Sequence, residues 1–539
     1  LAPYRAVRKL DPSRPAFFYR LGVGGNVRSL MGYLDVNEPV MDIMDWPLGW
    51  YRNARAGRVE PFLGAEISFT LSLLGMHYWK APCPNMAGRG GHVEHAARLF
   101  GDEAYAMVTP VELVPKAFES GMRLHRGLLK NQETELIARL YTYMYERVLP
   151  AWRACGIGVL WHIDGKPTEH FQSWFVRGPD NPIQGVLTPR GKVWQRCMGP
   201  RMACIAGPGE DFTAQDHAYV SGQTLRKQVL VFNDTFVAKP MAATVRARVL
   251  LDGKELAAPR AELEVPNGHR RALAISVRLP EVVRRTAGRI EARVVAGGQE
   301  LDVPPVAFQV FPKAPAPEPA GPVVLIDPVG DTAKMLDKAG IRYRKAAPDA
   351  DFGAARLLII GRDAYAHGLA ETLNAAALAK LLAGGGNAIV FEQSARHVAG
   401  LTNEHFNLRH VFLRAPHHPV LAGLRKEDLA YWRGHSDLLE PWQHFEDAPV
   451  DWRTLPRWAK HGLPNRWGQR RRFVPQWSNR NMVATFAYHK PQAGNVRVLL
   501  DGGFDTLYTP LVELRRGPGT ILLCQLDVTN RYGSDPVIT

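Results

Sequence analysis

The sequence predicts a multidomain protein that combines α/β and all-β parts, and three observations predict it. Over residues 1 to about 205, short apolar runs are followed by aromatic-rich helical stretches. From about 206 to 311, β-branched residues alternate with polar ones in runs separated by turn dipeptides. A proline-rich segment, 312–322, then precedes a β-α-β alternation running to residue 539. With 539 residues and 46% hydrophobic content, the chain has material for several cores.

In the first part, segments 31–36, 62–67 and 156–162 read as short strands. A long, mostly helical insertion at about 70–150 separates the last two. Its clearest helix is 131–149, where Leu136, Leu140, Met144 and Val148 recur every four residues and form one apolar stripe. Pro150 is expected to end it. In the second part, 228–232, 243–251, 273–277 and 289–295 alternate as strands of an antiparallel sandwich do, with turns at Asp252-Gly253 and Asn267-Gly268. Alternating proline in 312–322 disfavours helix and sheet and makes a stiff, extended linker. Beyond it, 323–327, 356–360 and 387–391 read as parallel strands with intervening helices, and 495–500 and 520–525 as the last strands.

The net charge of +15 suggests an anionic partner, but Arg and Lys are scattered and the densest cluster, at 469–472, is short. Without a helix-turn-helix, zinc-finger or stacking-platform pattern, nucleic acid is not an expected partner. The cysteines Cys83, Cys155, Cys197, Cys204 and Cys524 are odd in number and form no CxxC pair, so they read as buried thiols rather than a disulfide or zinc framework. No run of about 18 apolar residues is present, so no membrane-spanning helix is expected. The sequence opens on Leu1 without a leader pattern, which leaves the compartment open. His92 and His95, and the pair His417-His418, lack an evident third ligand, and the glycines at 22–25 and 384–386 lack phosphate-loop spacing. No metal and no cofactor are expected.

Segment 61–69, Pro-Phe-Leu-Gly-Ala-Glu-Ile-Ser-Phe, places one carboxylate, Glu66, toward the carboxyl end of an apolar strand. Such a group is costly to bury unless it is paired or functional. From the residues alone, Glu66 is either a catalytic carboxylate or a strand-end group paired with a basic neighbour. Tyr33-Leu-Asp-Val-Asn-Glu-Pro-Val with Trp46 and Trp50 after it, Glu66-Ile-Ser, and Val159-Leu-Trp-His162 together resemble, in order, the sixth, seventh and eighth strands of the catalytic (β/α)8 barrel of family 2 glycoside hydrolases, the β-galactosidase-like retaining enzymes. The resemblance implies that 1–205 is the closing half of such a barrel, that Glu66 is the nucleophile, and that the substrate is a β-linked sugar. Ile67 and Ser68 depart from the small residue that usually follows the family's nucleophile.

Retaining glycosidases need a second carboxyl about 5–5.5 Å from the first, and three strands cannot close a barrel. The acid/base is therefore expected in an upstream segment, or the barrel is completed by another chain or a homo-oligomer. Glu38, in Asn37-Glu-Pro39, lies about one βα unit before Glu66 where about three are expected, so it reads as a loop or first-turn carboxylate. Trp161 and His162 suit a sugar subsite through ring stacking and a hydroxyl contact, and read equally as a packed core pair. Tyr33 is placed to hydrogen-bond the nucleophile.

Residues 206–311 read as an immunoglobulin-like β-sandwich. Residues 323–539 resemble the flavodoxin-like domain of class I glutamine amidotransferases. Its nucleophile turn here reads Phe391-Glu-Gln-Ser-Ala-Arg396 and holds no Cys, so the domain is expected to be noncatalytic. The expectation is a retaining glycoside hydrolase. The competing one is a carbohydrate-binding or scaffolding protein without catalysis. A secreted or periplasmic location is implied by the resemblance alone.

Overall fold

The computed structural model describes residues 28–35, 51, 62–70, 132–156, 159–160, 175–177, 183–235, 237–438, 479–502 and 508–538. These are mostly β-sheet with few helices. The first sheet joins β1 (Arg28–Asp35), β2 (Phe62–Thr70) and β3 (Val159–Leu160) side by side, in chain order and parallel throughout. Parallel neighbours need long crossovers, and the stretches between these strands supply the length.

Helix α1 (Gln132–Ala154) precedes β3 and runs through Pro150, where the sequence predicted its end. Proline removes one intrahelical donor and crowds the preceding turn, at a cost of about 3 kcal/mol in a helix interior. The turn beyond it survives because it buries Ala151, Trp152, Ala154 and Cys155. Of the predicted stripe, Val148 is fully buried, while the side chains of Leu136, Leu140 and Met144 lie outside the described set. The helix stops at Gly156, whose φ of 81° lets its N–H return to the Arg153 carbonyl at 2.8 Å. Buried Arg153 then fastens this end, donating to the Cys197 and Gly199 carbonyls at 2.6 and 2.8 Å and to Asp234 at 2.6 Å.

A short hairpin, β4 (Phe175–Arg177) with β5 (Ile183–Leu187), leads into α2 (Pro189–Met198). The start of α2 is written in its sequence: Thr188 caps it, its hydroxyl accepting the Gly191 N–H at 3.1 Å, and Pro189 occupies the first turn, where no donor is missed.

Ten strands follow: β6 (Arg201–Ala206), β7 (Ala218–Val220), β8 (Thr224–Asn233), β9 (Met241–Leu251), β10 (Lys254–Ala257), β11 (Arg260–Val265), β12 (His269–Arg278), β13 (Thr286–Ala296), β14 (Gln299–Leu301) and β15 (Val306–Phe311). One sheet has the order β12-β8-β6. The other has the order β10-β9-β13-β15-β7, with β11 also on β9 and β14 on β13. The sandwich thus takes in β6, ahead of the change in sequence character at 206. Met241, Ala243, Val245, Ala247 and Val249 alternate into the core, where they meet Leu225, Val229 and Val231 of the facing sheet. The β9–β10 turn uses Asp252 at φ 50° and Gly253 at φ 76°, the left-handed pair a tight two-residue hairpin requires.

After the mostly exposed segment 312–322, which holds no helix or strand, come β16 (Val323–Ile326), α3 (Asp331–Lys338), β17 (Arg344–Lys345), β18 (Leu357–Ile360), α4 (Leu369–Thr372), α5 (Ala375–Ala383) and β19 (Asn387–Val390). They are followed by β20 (His397–Val398), β21 (Leu401–Leu408), β22 (Phe412–Leu413), β23 (Ala484–His489), β24 (Val496–Gly502), β25 (Tyr508–Arg516) and β26 (Gly519–Cys524). The parallel half of this sheet has the order β17-β16-β18-β19-β26. Numbered along the chain, that is 2-1-3-4-5, the order of a flavodoxin-like doubly wound sheet. An antiparallel extension, β25-β23-β21-β20, continues it, with β24 on β25 and β22 on β24.

Polar contacts join the sandwich to this last sheet. Arg480 donates to Asp211 at 2.6 Å and to Thr213 at 3.1 Å, and the Asn481 carboxamide bridges the Gln215 N–H and Asp216 at 3.0 and 2.9 Å. The hydroxyls of Tyr143 on α1 and Tyr431 lie 2.8 Å apart.

Candidate functional site

Glu66 and Tyr33 lie on adjacent parallel strands, Glu66 on the middle one. The pairing of β1 with β2 is not regular there. Met31 pairs with Ala65 and Tyr33 with Ser68, so Gly32 alone faces the two residues Glu66 and Ile67. This is a β-bulge at the predicted nucleophile. Bulges in parallel pairs are rare, and next to active sites they re-aim a side chain. On the other edge, β3 pairs Val159 and Leu160 with Leu63 and Gly64. Trp161 and His162, like Glu38, His92 and His95, lie outside the described residues.

A second group of buried charges went unnoticed in the sequence. It lies beyond the carboxyl ends of the parallel strands of the last sheet. Glu392, two residues after β19, is fully buried and accepts the backbone N–H groups of Val528 and Thr529, the latter at 2.8 Å, with the Thr529 hydroxyl at 3.0 Å. Burial, with Asp527 adding to it, pushes its carboxyl up to about 7. Arg362, two residues after β18, is also buried; it donates to Asp331 at 3.2 Å and pairs with Asp437. The signal was available: Glu392 follows an apolar strand as Glu66 sits in one.

At the turn after β19, Ser394 donates its hydroxyl to Asp363 at 2.5 Å, and its N–H goes to the same oxygen at 2.8 Å. Such a serine is held by a carboxylate rather than activated by an imidazole. Cys524 is buried at the end of β26, and burial pushes its thiol far above the ordinary value. His418 is a satisfied core histidine: its Nδ1 accepts the Val420 N–H at 3.3 Å, which leaves Nε2 to donate to Glu513 at 3.0 Å. Among the described residues, no group of three or more His, Cys, Asp or Glu side chains is placed to hold a metal ion. No helix among them is long and apolar enough to cross a membrane.

No protein-family model matches the chain, and no curated protein matches it. Among solved structures it is similar to a family 123 glycoside hydrolase from Clostridium perfringens, with 9% identity over 25% of this chain and 32% of that one and a TM-score of 0.14. It is similar to a β-glucuronidase of glycoside hydrolase family 2, with 11% identity over 36% and 22% of the two chains and a TM-score of 0.17. A CARDB domain from Pyrococcus furiosus matches at 15% identity over 21% of this chain and 94% of its own, with a TM-score of 0.15. The chain spans a third or less of either hydrolase. Glycoside hydrolases are thus among its weak structural neighbours, at similarities too low to carry a functional argument.

Proposed function

We propose that the protein is a retaining glycoside hydrolase acting on β-linked sugars, with Glu66 as the nucleophile. The observation that carries this reading is the bulge that sets Glu66 and Ile67 against Gly32, on the middle of three parallel strands. In this reading Glu66 attacks the anomeric carbon, a glycosyl-enzyme forms as the leaving oxygen takes a proton, and water releases the sugar. Tyr33, one strand away, hydrogen-bonds the carboxylate, and Trp161 and His162 form the adjoining sugar subsite. The acid/base belongs to an upstream segment or to another copy or chain that completes a (β/α)8 barrel around 1–205. The sandwich of about 206–311 and the amidotransferase-like unit of 323–539 are accessory. The hydrogen bond from Ser394 to Asp363 supports a noncatalytic role for the latter.

The test is covalent trapping. A 2-deoxy-2-fluoroglycosyl fluoride carries a leaving group that needs no proton, so it reports on the nucleophile without the acid/base. Incubation with the β-galactosyl and β-glucosyl reagents should add one fluorosugar, mapped by peptide mass spectrometry to Glu66, and Glu66→Gln should take up none. No adduct with either reagent, together with retained binding of the matching sugars, would favour the noncatalytic carbohydrate-binding protein.

A further inference from the structure

A cavity of about 400 Å³ lies between α1, the open end of the sandwich and Tyr431. Its volume is within the range of small-molecule sites, and much of its wall is apolar, including Met202, Phe212 and Leu230. The informative part is the charge. Lys227 lines it from β8, on the row that Leu225 and Val229 turn into the sandwich core, and is 5% exposed. Its ammonium makes one long contact, 3.4 Å to the Ala214 carbonyl. Arg147 lines the same cavity from α1; one of its terminal nitrogens donates to the Tyr143 carbonyl at 3.2 Å, and its Nε is buried without a partner.

The acidic groups of the wall hydrogen-bond other side chains. Asp216 accepts from Asn481 at 2.9 Å, and Glu146 is held by Arg196 at 3.0 Å. Neither Lys227 nor Arg147 is ion-paired with a carboxylate among the described residues. Arg147 has its guanidinium over the Tyr143 ring at 3.9 Å, while the buried Lys227 ammonium has no ion-pair partner among the described residues to offset its burial. Desolvation pulls the Lys227 ammonium below its ordinary value, opposed by Asp216, and an entering anion would offset that cost.

We propose that this cavity is a binding site for a small carboxylate of hexuronic-acid size, its anionic group received by Lys227 and Arg147. The apolar wall then takes the carbon skeleton. No catalysis at Glu66 is required for it.

The experiment is titration calorimetry of the full chain with potassium galacturonate, potassium glucuronate and, as the uncharged control, glucose. Saturable binding of a uronate, at least tenfold weaker for glucose and for Lys227→Met, and unchanged in Glu66→Gln, is expected. Should Lys227→Met fail to fold, Arg147→Gln carries the same comparison. Absence of uronate binding at millimolar concentration, equal binding of glucose, or binding that ignores both substitutions would overturn the proposal. Loss of binding in Glu66→Gln would place the sugar acid at Glu66 and overturn it as well.

Discussion

Arg285, between β12 and β13 of the sandwich, forks onto Asp428 of the last sheet's unit. Nη1 donates to Oδ2 at 2.9 Å, and Nη2 lies 2.7 Å from Oδ1. The side chains are 15% and 4% exposed, so water screens the pair little. A planar guanidinium matched to a carboxylate fixes orientation as well as distance. Asp428 also accepts the Arg425 N–H at 2.8 Å, so the contact positions the chain before β23 against the sandwich.

Removing one partner of such a pair strands the other. Asp428→Ala and Arg285→Met are each expected to cost about 3 kcal/mol, and the double variant less than their sum. Urea unfolding of the four proteins measures this; strict additivity would mean that the contact carries no coupling.

Gly288 on β13 pairs directly with Phe308 on β15, whose ring lies across it in the space a side chain would need. A Cβ there would meet the ring's Cζ at 2.2 Å. Phe308 is 2% exposed and in edge contact with Tyr219, so it has no free volume to move into. Gly288→Ala should therefore destabilise the sandwich by about 1–3 kcal/mol, the usual cost of overpacking. The paired substitution Phe308→Leu in the Gly288→Ala background should recover part of it, and a lower denaturation midpoint for the double variant than for Gly288→Ala would contradict the steric account.

Burial raises the Glu392 carboxyl from an ordinary 4.5 to about 7. Between those values the folded chain keeps a proton that the unfolded chain has lost, so stability contributed here is complete below about 4.5 and falls as pH rises toward 7. Asp535, pushed up to about 6 by burial, acts with the same sign. Glu392→Gln should flatten the decline of the melting temperature between pH 5 and pH 7.5, since the amide keeps an acceptor for the Thr529 N–H and cannot ionise. An unchanged slope would mean that Glu392 is ionised throughout.

Local chemistry in the sequence determined a good part of the fold. Thr188 and Pro189 mark the start of α2, Asp252-Gly253 makes its hairpin, the alternation of Met241 to Val249 sets which face of β9 is buried, and the apolar runs at 323–326, 357–360 and 387–390 become parallel strands. These depend on a residue's own torsions or on a period of a few positions. The strand that carries Glu66 was legible for the same reason, as an apolar run. The rest came from contacts between residues far apart in the chain. Helix α1 passes Pro150 because the turn containing Trp152 finds a core to enter. Gly32 confronts both Glu66 and Ile67 only once β1 and β2 are paired. Glu392 is held by Thr529, 137 positions later. Lys227 reads as an ordinary strand lysine until α1, the loop at Ala214 and Tyr431 close a cavity around it. Burial and pairing belong to the folded chain as a whole, and no window of sequence contains them.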